Sequence, residues 1–320
     1  MKKIDYQYGI IVIGYKNVKG LRRLLKCICT AEYDGKDTIL LIISLDKSDN
    51  EDEMQFVNEY LWPYGDKVVI RQKERLGLRK HILTCGNYLN EYGLDAVAVF
   101  EDDVIPARDF FSYMKSAVKA YYNDMRIAGI SLYTFPIALN VGKEFSPILS
   151  EGDVYFLQYA QSWGQVWMRN QWNSFKEWYR KNSDKVEEDY RIPENVSKWN
   201  DNSWLKFHIK YCITENKYFV YPFSSHSTCF NEKGEHTQAD SDLCQVVMSN
   251  YCKNDYNCVN FDGKALKYDA FFENIDLYQY CNVPQKELTV DLYAGRLAVN
   301  TRYLLTSRYL NYPIVRSWGN

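Results

Sequence analysis

Short apolar runs alternate with segments of helical periodicity through the first hundred residues of this chain. "YGIIVIG" (residues 8–14) is an apolar run bounded by glycine. In the segment that follows, apolar residues from Val18 to Ile28 recur every three or four positions. This pattern predicts a strand, a loop and a helix.

The same alternation then recurs along the chain. It predicts strands at residues 37–46, 66–72 and 95–103 and helices at residues 50–65 and 77–93. The connections are too long for hairpins, so the fold class expected is α/β, with a mostly parallel central sheet covered by helices on both faces. In such sheets ligands bind beyond the carboxyl ends of the strands.

Beyond about residue 125 the pattern changes to short strands, Trp-rich helices and loops. We therefore divide the chain into an α/β half (1–125), a mixed α+β half of the same domain (126–265) and a C-terminal extension (266–320). "NEKGEHTQADSD" (231–242) is typical of a mobile loop.

The C-terminal extension spaces four arginines, Arg296, Arg302, Arg308 and Arg316, among Leu and Tyr. Two interpretations are open. One is a solvated helix on the body of the protein, and the other is a basic amphipathic contact with a membrane surface.

Composition narrows the range of partners and compartments. Lys plus Arg total 39 against 41 Asp plus Glu, so no global field indicates a nucleic-acid partner. Nine cysteines without a CxxC pair, and no signal-peptide pattern, predict reduced thiols in a cytoplasmic protein. Apolar runs are far shorter than the roughly 20 residues of a membrane span. Aromatic residues, at 16%, serve the core or stack on sugars or bases.

Three adjacent acids, Glu101, Asp102 and Asp103, follow the strand predicted at 95–103. Their repulsion costs free energy unless a cation or hydrogen-bond donors compensate. Mg²⁺ or Mn²⁺ suits such a site, because these ions take one or two carboxylates and complete their shell with phosphate oxygens and water. A nucleotide diphosphate is then the expected partner. The alternative is a solvated strand end that caps the next helix.

Other polar residues map to the same edge of the predicted sheet. Asp46 ends the second strand, Tyr15 and Lys16 follow the first, and Arg79 and His81 lie on the third helix. An acid for ribose or base, cations for phosphates and acids for a metal together make a nucleotide site plausible.

Several segments in this order resemble the GT-A nucleotide-sugar-dependent glycosyltransferases. They are "GYKN", "ISLDKSDN", "RLGLRKHILTCGNYL" and "VFEDDVIPARDFFSYM". The last is most similar to the N-acetylglucosaminyltransferases that begin complex N-glycans and to bacterial surface-polysaccharide relatives. "SWGQVWMRNQW", "NDNSWLKFHI", "YPFSSHSTCFNEKGEHT" and "KELTVDLYAGR" extend the resemblance to roughly residues 8–315.

The resemblance implies roles for individual residues. Asp103 would bind the metal directly, and Glu101 and Asp102 would contact the nucleotide sugar. Asp46 would hold the uracil or ribose side, and Tyr15 and Lys16 would line the nucleotide. No nucleic-acid partner is implied.

The resemblance also implies a base for the transfer step. Asp201, before Trp204, matches the position of the family's catalytic acid and would remove the acceptor hydroxyl's proton. An N-cap of the following helix is the alternative for Asp201. Asp153 and Glu151 are weaker candidates for the base.

Two further segments correspond to donor contacts in the family. Trp163 and Gly164 resemble a pair that faces the donor sugar or acceptor, although a core tryptophan is an equal interpretation. His236, with Lys233 and Gly234, resembles a loop that closes over the donor; a plain surface residue is the alternative. His208 and His226 are expected to be structural, since hard cations prefer oxygen ligands.

The resulting hypothesis is a metal-dependent inverting glycosyltransferase. It would move a sugar from a UDP-sugar to a hydroxyl of a glycan or lipid-linked glycan in surface polysaccharide synthesis. UDP-GlcNAc is the candidate donor. The alternatives are a sugar-phosphate nucleotidyltransferase and a catalytically inactive sugar-binding domain. "GYKNVKGLRR" is a poor match to the Gly-rich basic loop of the former.

Overall fold

A mixed β-sheet of nine strands forms the centre of the protein. The computed structural model describes residues 6–35, 38–184, 189–230, 242–250, 252–262 and 265–318. The strands are β1 (Tyr8–Gly14), β2 (Leu40–Leu45), β3 (Lys67–Arg71), β4 (Ala96–Glu101), β5 (Val104–Pro106), β6 (Ile127–Ser131), β7 (Ile137–Ala138), β8 (Lys143–Glu144), β9 (Val154–Leu157), β10 (Gln165–Met168), β11 (Tyr218–Pro222), β12 (Ser227–Cys229), β13 (Lys267–Tyr268), β14 (Leu288–Asp291) and β15 (Tyr303–Thr306).

Helices cover both faces of this sheet. They are α1 (Val18–Cys29), α2 (Glu51–Glu59), α3 (Leu78–Cys85), α4 (Tyr88–Glu91), α5 (Phe110–Tyr121), α6 (Arg169–Asn182), α7 (Glu194–Lys198), α8 (Trp204–Thr214) and α9 (Tyr278–Cys281). Side chains of α1, α2 and α5 contribute to the core on one face, and those of α3, α4, α6 and α8 to the core on the other. None of the described helices has the length and apolarity needed to cross a membrane.

The strand order is β13-β9-β11-β6-β10-β4-β1-β2-β3. The pairs β3-β2, β2-β1 and β1-β4 are parallel, whereas β10 runs antiparallel to both β4 and β6. All seven residues of β1 are buried, as expected for a strand covered on both faces. The expected α/β fold class, a mostly parallel sheet flanked by helices with a mixed second half, is confirmed.

The chain reverses its direction of winding between β1 and β4. From β1 it passes through α1 to β2 and on to β3, and it then returns to place β4 on the other side of β1. A crevice forms at the carboxyl ends of two strands where the order reverses in this way. The end of β4, with its three acids, therefore lies at the natural ligand position of this sheet.

The single helix predicted at 77–93 is two helices, α3 and α4, separated by Gly86 and Asn87. A Cβ on Gly86 would collide with the indole of Trp172 on α6. Glycine at position 86 thus makes room for a packed tryptophan, a tertiary contact that periodicity does not show.

The helix expected in the C-terminal extension is wrong. β15 pairs in parallel with β14, and residues 307–318 are irregular. Arginines spaced six, six and eight positions apart do not share one helical face. Instead Arg296 and Arg308 turn inward and form ion pairs with Asp269 and Asp291.

His208 of α8 is fully buried and stacks on Phe175, with ring centroids 4.2 Å apart. Burial lowers the pKa of His208 to about 3, so its imidazole is neutral. Within the described residues neither ring nitrogen has a hydrogen-bond partner. His208 is thus structural, as expected.

We expect His208→Phe to raise the free energy of unfolding by about 1 kcal/mol, because it removes unpaired buried polar atoms and keeps the ring stacking. Urea denaturation followed by tryptophan fluorescence measures this. His226→Phe is the matched control and should lower stability, because His226 Nδ1 is bonded to Asp109. A less stable His208→Phe protein would show that its nitrogens do find partners.

Candidate active site

Asp102 ties the end of β4 to the turn between β1 and α1. Its carboxylate accepts hydrogen bonds from the Tyr15 backbone N–H and from Asn17 Nδ2, both at 2.9 Å. A Cβ at Gly20, in the first turn of α1, would collide with the Asp102 carbonyl oxygen, so glycine allows the helix to approach the acids closely. Asp102 therefore fixes the turn between β1 and α1 relative to the end of β4. Its contact with a nucleotide sugar stays a prediction.

All three acids are half-buried rather than solvated. Burial, followed by the charges of its two neighbours, raises the pKa of Glu101 well above its usual value. Burial also raises the pKa of Asp103, although the Arg23 charge opposes it. The next helix, α5, begins after Asp109. The alternative of a solvated strand end that caps the next helix is therefore wrong.

The donor set fits a hard divalent cation. The oxygens of Asp102 are engaged by protein donors and the Glu101 carboxyl interacts with the Trp204 side chain, so Asp103 is the carboxylate of the three best suited to bind a metal ion directly. No group of three or more His, Cys, Asp or Glu side chains in the described part of the chain has a metal-binding arrangement. A bound Mg²⁺ or Mn²⁺ would thus draw its other ligands from diphosphate and water, as these ions commonly do.

The pKa of Asp102 makes stability depend on pH. Burial raises this pKa from 3.8 to about 7, although the hydrogen bonds from Tyr15 and Asn17 oppose the rise. Between these two values the native carboxyl holds a proton that the unfolded chain has lost. Its contribution to stability is therefore complete below the lower value and is lost as pH rises through the higher one.

We expect the melting temperature of the metal-free protein to fall as pH is raised through neutrality, and to fall less in Asp102→Asn. Thermal unfolding in the presence of a chelator, over a series of buffers, measures both slopes. Asp95→Asn is a control at the amino end of β4 and should keep the wild-type slope. Equal slopes in wild type and Asp102→Asn would contradict the assignment to Asp102.

Asp46 is buried at the end of β2 and is fully engaged by the protein. Its oxygens accept hydrogen bonds from the backbone N–H groups of Lys47, Leu76 and Gly77 at 2.8–2.9 Å and from Arg75 Nη1 at 2.7 Å. Burial raises the pKa of Asp46, but the three backbone donors outweigh it and the net shift is downward. Asp46 thus shapes the turn that leads into α3. Direct contact with uracil or ribose stays a prediction.

Sequence reasoning missed Arg75. Its guanidinium lies over the Tyr15 ring, 3.3 Å from the centroid, while it also bonds to Asp46. Lys16 lies 5.1 Å from the same centroid. Two cations therefore accompany the Tyr15 ring at the mouth of the crevice. The only signal in the sequence is the position of Arg75 just before a predicted helix.

Sequence reasoning also missed Glu53, an acid in the first turn of α2. Its side chain is buried and reaches the end of β1: a Cβ on Gly14 would lie 3.7 Å from Glu53 Oε1 and 3.6 Å from Asp102 Oδ2. It also accepts a hydrogen bond from the Lys16 backbone. Lys16 has a φ of 58°, a strained value for a residue with a side chain. Glu53 thus stabilises the turn after β1.

His81 lies beneath this edge rather than on it. Its Nε2 is 2.8 Å from Ser44 Oγ, and burial lowers the pKa of His81 to about 4 despite the nearby Asp46 charge. The imidazole is therefore uncharged near neutral pH. Contact between His81 and a phosphate stays a prediction.

Arg79 brings a distant segment to the site. Its Nη1 donates to the Asp201 carbonyl at 2.8 Å and its Nε to the Tyr179 hydroxyl at 2.5 Å. Trp204, three residues after Asp201, interacts through its side chain with the Glu101 carboxyl. The loop that precedes α8 therefore lies beside the acids of β4.

Asp201 does not cap α8. Ser203 is the cap, accepting from the Lys206 N–H at 3.4 Å, so the N-cap alternative for Asp201 is wrong. The Asp201 carboxylate is 78% exposed and forms an ion pair with Lys206 Nζ at 2.7 Å. The hydrogen bond and charge of Lys206 lower the pKa of Asp201. Asp201 is thus an ionised, accessible carboxylate, and its role as a base stays a prediction.

The weaker candidates for the base lie farther away. Asp153 precedes β9, which is separated from β4 by β11, β6 and β10. Four strand spacings of roughly 4.8 Å place it about 19 Å away. Its carboxylate pairs with Lys253 at 2.7 Å. Glu151 precedes it by two residues, so neither acid is placed beside the triplet.

Trp163 and Gly164 lie beside the acids. They lead into β10, which pairs antiparallel with β4, Gln165 opposite Val99, so both residues lie at the edge of the sheet where β4 ends. Trp163 is half-buried and packs on Tyr133, with ring centroids 4.8 Å apart, so its side chain is partly in the core and partly exposed.

Gly164 has a φ of 96°, and a Cβ there would lie 2.8 Å from Ser227 Oγ. This backbone conformation and contact both favour glycine. The predicted residues Lys233, Gly234 and His236 lie outside the described residues.

Fold and site together define an α/β protein with an acidic crevice at the switch point of its sheet. No family model matches the chain, and no curated protein matches it. Solved structures with similar coordinates include Staphylococcus aureus TarS 1–349 in complex with UDP-GlcNAc (TM-score 0.46, 11% identity, 72% of this chain and 60% of that one).

Two further matches are the mannosyltransferase PcManGT from Pyrobaculum calidifontis in complex with GDP-Man and Mn²⁺ (TM-score 0.38, 16% identity, 52% of this chain and 46% of that one) and GalNAc-T7 with UDP, GalNAc and Mn²⁺ (0.46, 12%, 69% and 43%). The chain thus spans 43–60% of the length of these three structures.

Proposed function

We propose that this protein is a metal-dependent glycosyltransferase that uses a nucleotide sugar. The observation that carries the proposal is the crowding of Glu101, Asp102 and Asp103 at the switch point, with Trp163 and the Asp201 segment beside them. Half-buried acids of raised pKa favour a divalent cation, and that cation favours a diphosphate. The sequence resemblance to GT-A enzymes supports the same conclusion.

In this proposal each residue has a separate task. Asp103 holds the metal, which supplies charge to stabilise the departing diphosphate. Glu101 orients the donor sugar, and Asp102 keeps the turn after β1 in place. Asp201 takes the proton of the acceptor hydroxyl as its oxygen attacks C1, so the transfer inverts the anomeric centre. Its exposure leaves room for a bulky acceptor.

We assign UDP-GlcNAc as the first donor to test and a hydroxyl of a glycan or lipid-linked glycan as the acceptor. Surface polysaccharide synthesis in the cytoplasm is the setting proposed. The assay incubates purified protein with each common UDP-sugar and Mn²⁺ and measures UDP release, and calorimetry measures UDP binding with and without Mn²⁺. Mn²⁺-dependent UDP release supports the proposal.

Other results of these assays would replace the proposal. Absence of both UDP release and UDP binding overturns it. Pyrophosphate formed from UTP and a sugar phosphate would instead indicate a nucleotidyltransferase. UDP binding without turnover under any acceptor condition would indicate an inactive sugar-binding domain.

We further propose a lipid contact, restricted to residues 309–318. Tyr309, Tyr312, Ile314 and Val315 are each at least 73% exposed, and no Asp or Glu occurs between Leu292 and the end of the sequence. Arg316 lies over Trp318, 5.0 Å from the ring centroid. With one cation, no acid and exposed Tyr, Trp and aliphatic side chains, this segment suits the interface of an anionic membrane.

We expect co-sedimentation with vesicles that contain anionic phospholipid and little with purely zwitterionic vesicles. The double variant Ile314→Ser/Val315→Ser should lose most of this binding and keep the wild-type melting temperature. Vesicle binding that the variant leaves unchanged would contradict the lipid contact. A variant that keeps vesicle binding but no longer self-associates would contradict it as well, because the segment would then contact a second copy of the chain.

A further inference from the structure

A second group of buried polar side chains lies behind the crevice, around Asp109 at the start of α5. Its carboxylate, 2% exposed, accepts hydrogen bonds from His226 Nδ1 at 3.0 Å, Ser249 Oγ at 2.9 Å and the Tyr256 hydroxyl at 2.6 Å. The donors come from the residue just before β12 and from two positions, seven residues apart, in the segment that follows β12. One carboxylate thus fastens all of them to α5.

His226 is held on every side. Its ring is 1% exposed and stacks on Tyr113, with centroids 4.4 Å apart and planes 19° from parallel. Its backbone N–H donates to the Leu132 carbonyl at 2.6 Å, and its carbonyl accepts from the Ala107 N–H at 2.8 Å. The imidazole therefore has one position relative to the sheet.

The strand that begins after His226 touches both sides of the crevice. β12 pairs antiparallel with β5, which follows the acid triplet, and the Phe230 N–H donates to the Asp103 carbonyl at 2.7 Å. On the other side Ser227 Oγ donates to the Trp163 carbonyl at 2.5 Å. A shift of β12 would therefore move Asp103 and Trp163 relative to each other.

We propose that Asp109 and His226 are positioning residues that fix β12, and with it the spacing of Asp103 and Trp163, for the nucleotide donor. This inference rests on the proposed function. Neither side chain contacts the donor; the pair acts through β12. Outer hydrogen bonds that orient metal-binding residues typically change metal affinity or activity by about 10- to 100-fold when removed.

Asp109→Asn is the informative change, because an amide offers one acceptor oxygen and an NH₂ group to three donors. Asp95 provides a matched control. It accepts from the Gln7 N–H at 2.9 Å, the Tyr122 hydroxyl at 3.1 Å and Arg169 Nη2 at 3.0 Å, and it precedes β4 at the opposite edge of the sheet.

Hydrogen exchange of the full chain without ligand tests the pair independently of catalysis. We expect Asp109→Asn to speed amide exchange in residues 225–230, whereas Asp95→Asn leaves that segment unchanged. Unchanged exchange of residues 225–230 in Asp109→Asn overturns the inference whatever the protein's activity.

Calorimetric titration with UDP in the presence of Mn²⁺ tests the consequence for the site. Asp109→Asn and His226→Phe should raise the Kd about 10- to 100-fold, and Asp95→Asn should leave it within about twofold. His226→Asn, which keeps an N–H donor near the Nδ1 position, should recover most of the affinity. Equal affinity in all variants overturns the inference. If wild type itself binds no UDP, the proposed function fails and the exchange measurement alone decides the inference.

Discussion

Asp103→Asn should lower kcat/KM for the UDP-sugar about 100- to 1000-fold, because loss of the proposed metal ligand would remove several kcal/mol of charge stabilisation from the transition state. The melting temperature of the metal-free protein should rise. Burial raises the pKa of Asp103, and Asp103 raises that of Glu101, so a neutral amide relieves repulsion in the metal-free protein.

Two measurements on the same preparations test this prediction. Initial rates of UDP release over a range of Mn²⁺ concentrations give the catalytic loss, and thermal unfolding without metal gives the stability. Asp95→Asn, at the far edge of the sheet, should leave activity near wild type. Activity that survives Asp103→Asn removes Asp103 from the metal site, whereas a joint loss of activity and melting temperature points to misfolding.

Asp201→Asn should lower kcat about 100- to 10,000-fold, the usual contribution of a general base. The Kd for UDP with Mn²⁺ should remain at the wild-type value, because in the proposed mechanism Asp201 acts on the acceptor hydroxyl rather than on the diphosphate. Steady-state rates and calorimetry on one preparation separate the two effects. A weakened Kd with unchanged kcat would assign Asp201 to donor binding instead.

The pH profile tests the same residue in another way. Lys206 lowers the pKa of Asp201, and the base is active only when ionised. Activity should therefore be lost only as pH falls below the ordinary range of an aspartate. Lys206→Met removes the partner and should move this acidic limb to higher pH. Identical limbs in kcat/KM for wild type and Lys206→Met would contradict the assignment of Asp201 as the base.

Local pattern was a reliable guide in the first half of the chain. β1, β2 and β4 are buried on both faces, so each is a continuous apolar run that is visible in one sequence. The polar residues that follow these strands necessarily meet at one edge, since parallel strands share their direction. The sequence alone therefore places Asp46, Tyr15 and Glu101 at the same edge of the sheet.

Local pattern failed where a distant contact decides the outcome. Nothing in the sequence distinguishes Gly86 from an ordinary helix position, because its close contact with Trp172 is made by another helix. Ser203 and Asp201 are both good capping residues, but in the structure Ser203 caps α8 and Asp201 forms an ion pair with Lys206. Arg296 was expected at a helix surface and instead pairs with Asp269.

For the acid triplet, the sequence and the tertiary structure determine different properties. By itself the sequence determined that three like charges end a buried strand at the ligand edge of an α/β sheet, because burial and strand direction are local properties of the pattern. Only the tertiary structure decided that Asp102 is bound by Tyr15 and Asn17, and that β12 holds Asp103. Those contacts join residues that are about a hundred positions apart, and their geometry depends on the packing of the whole sheet rather than on any one segment.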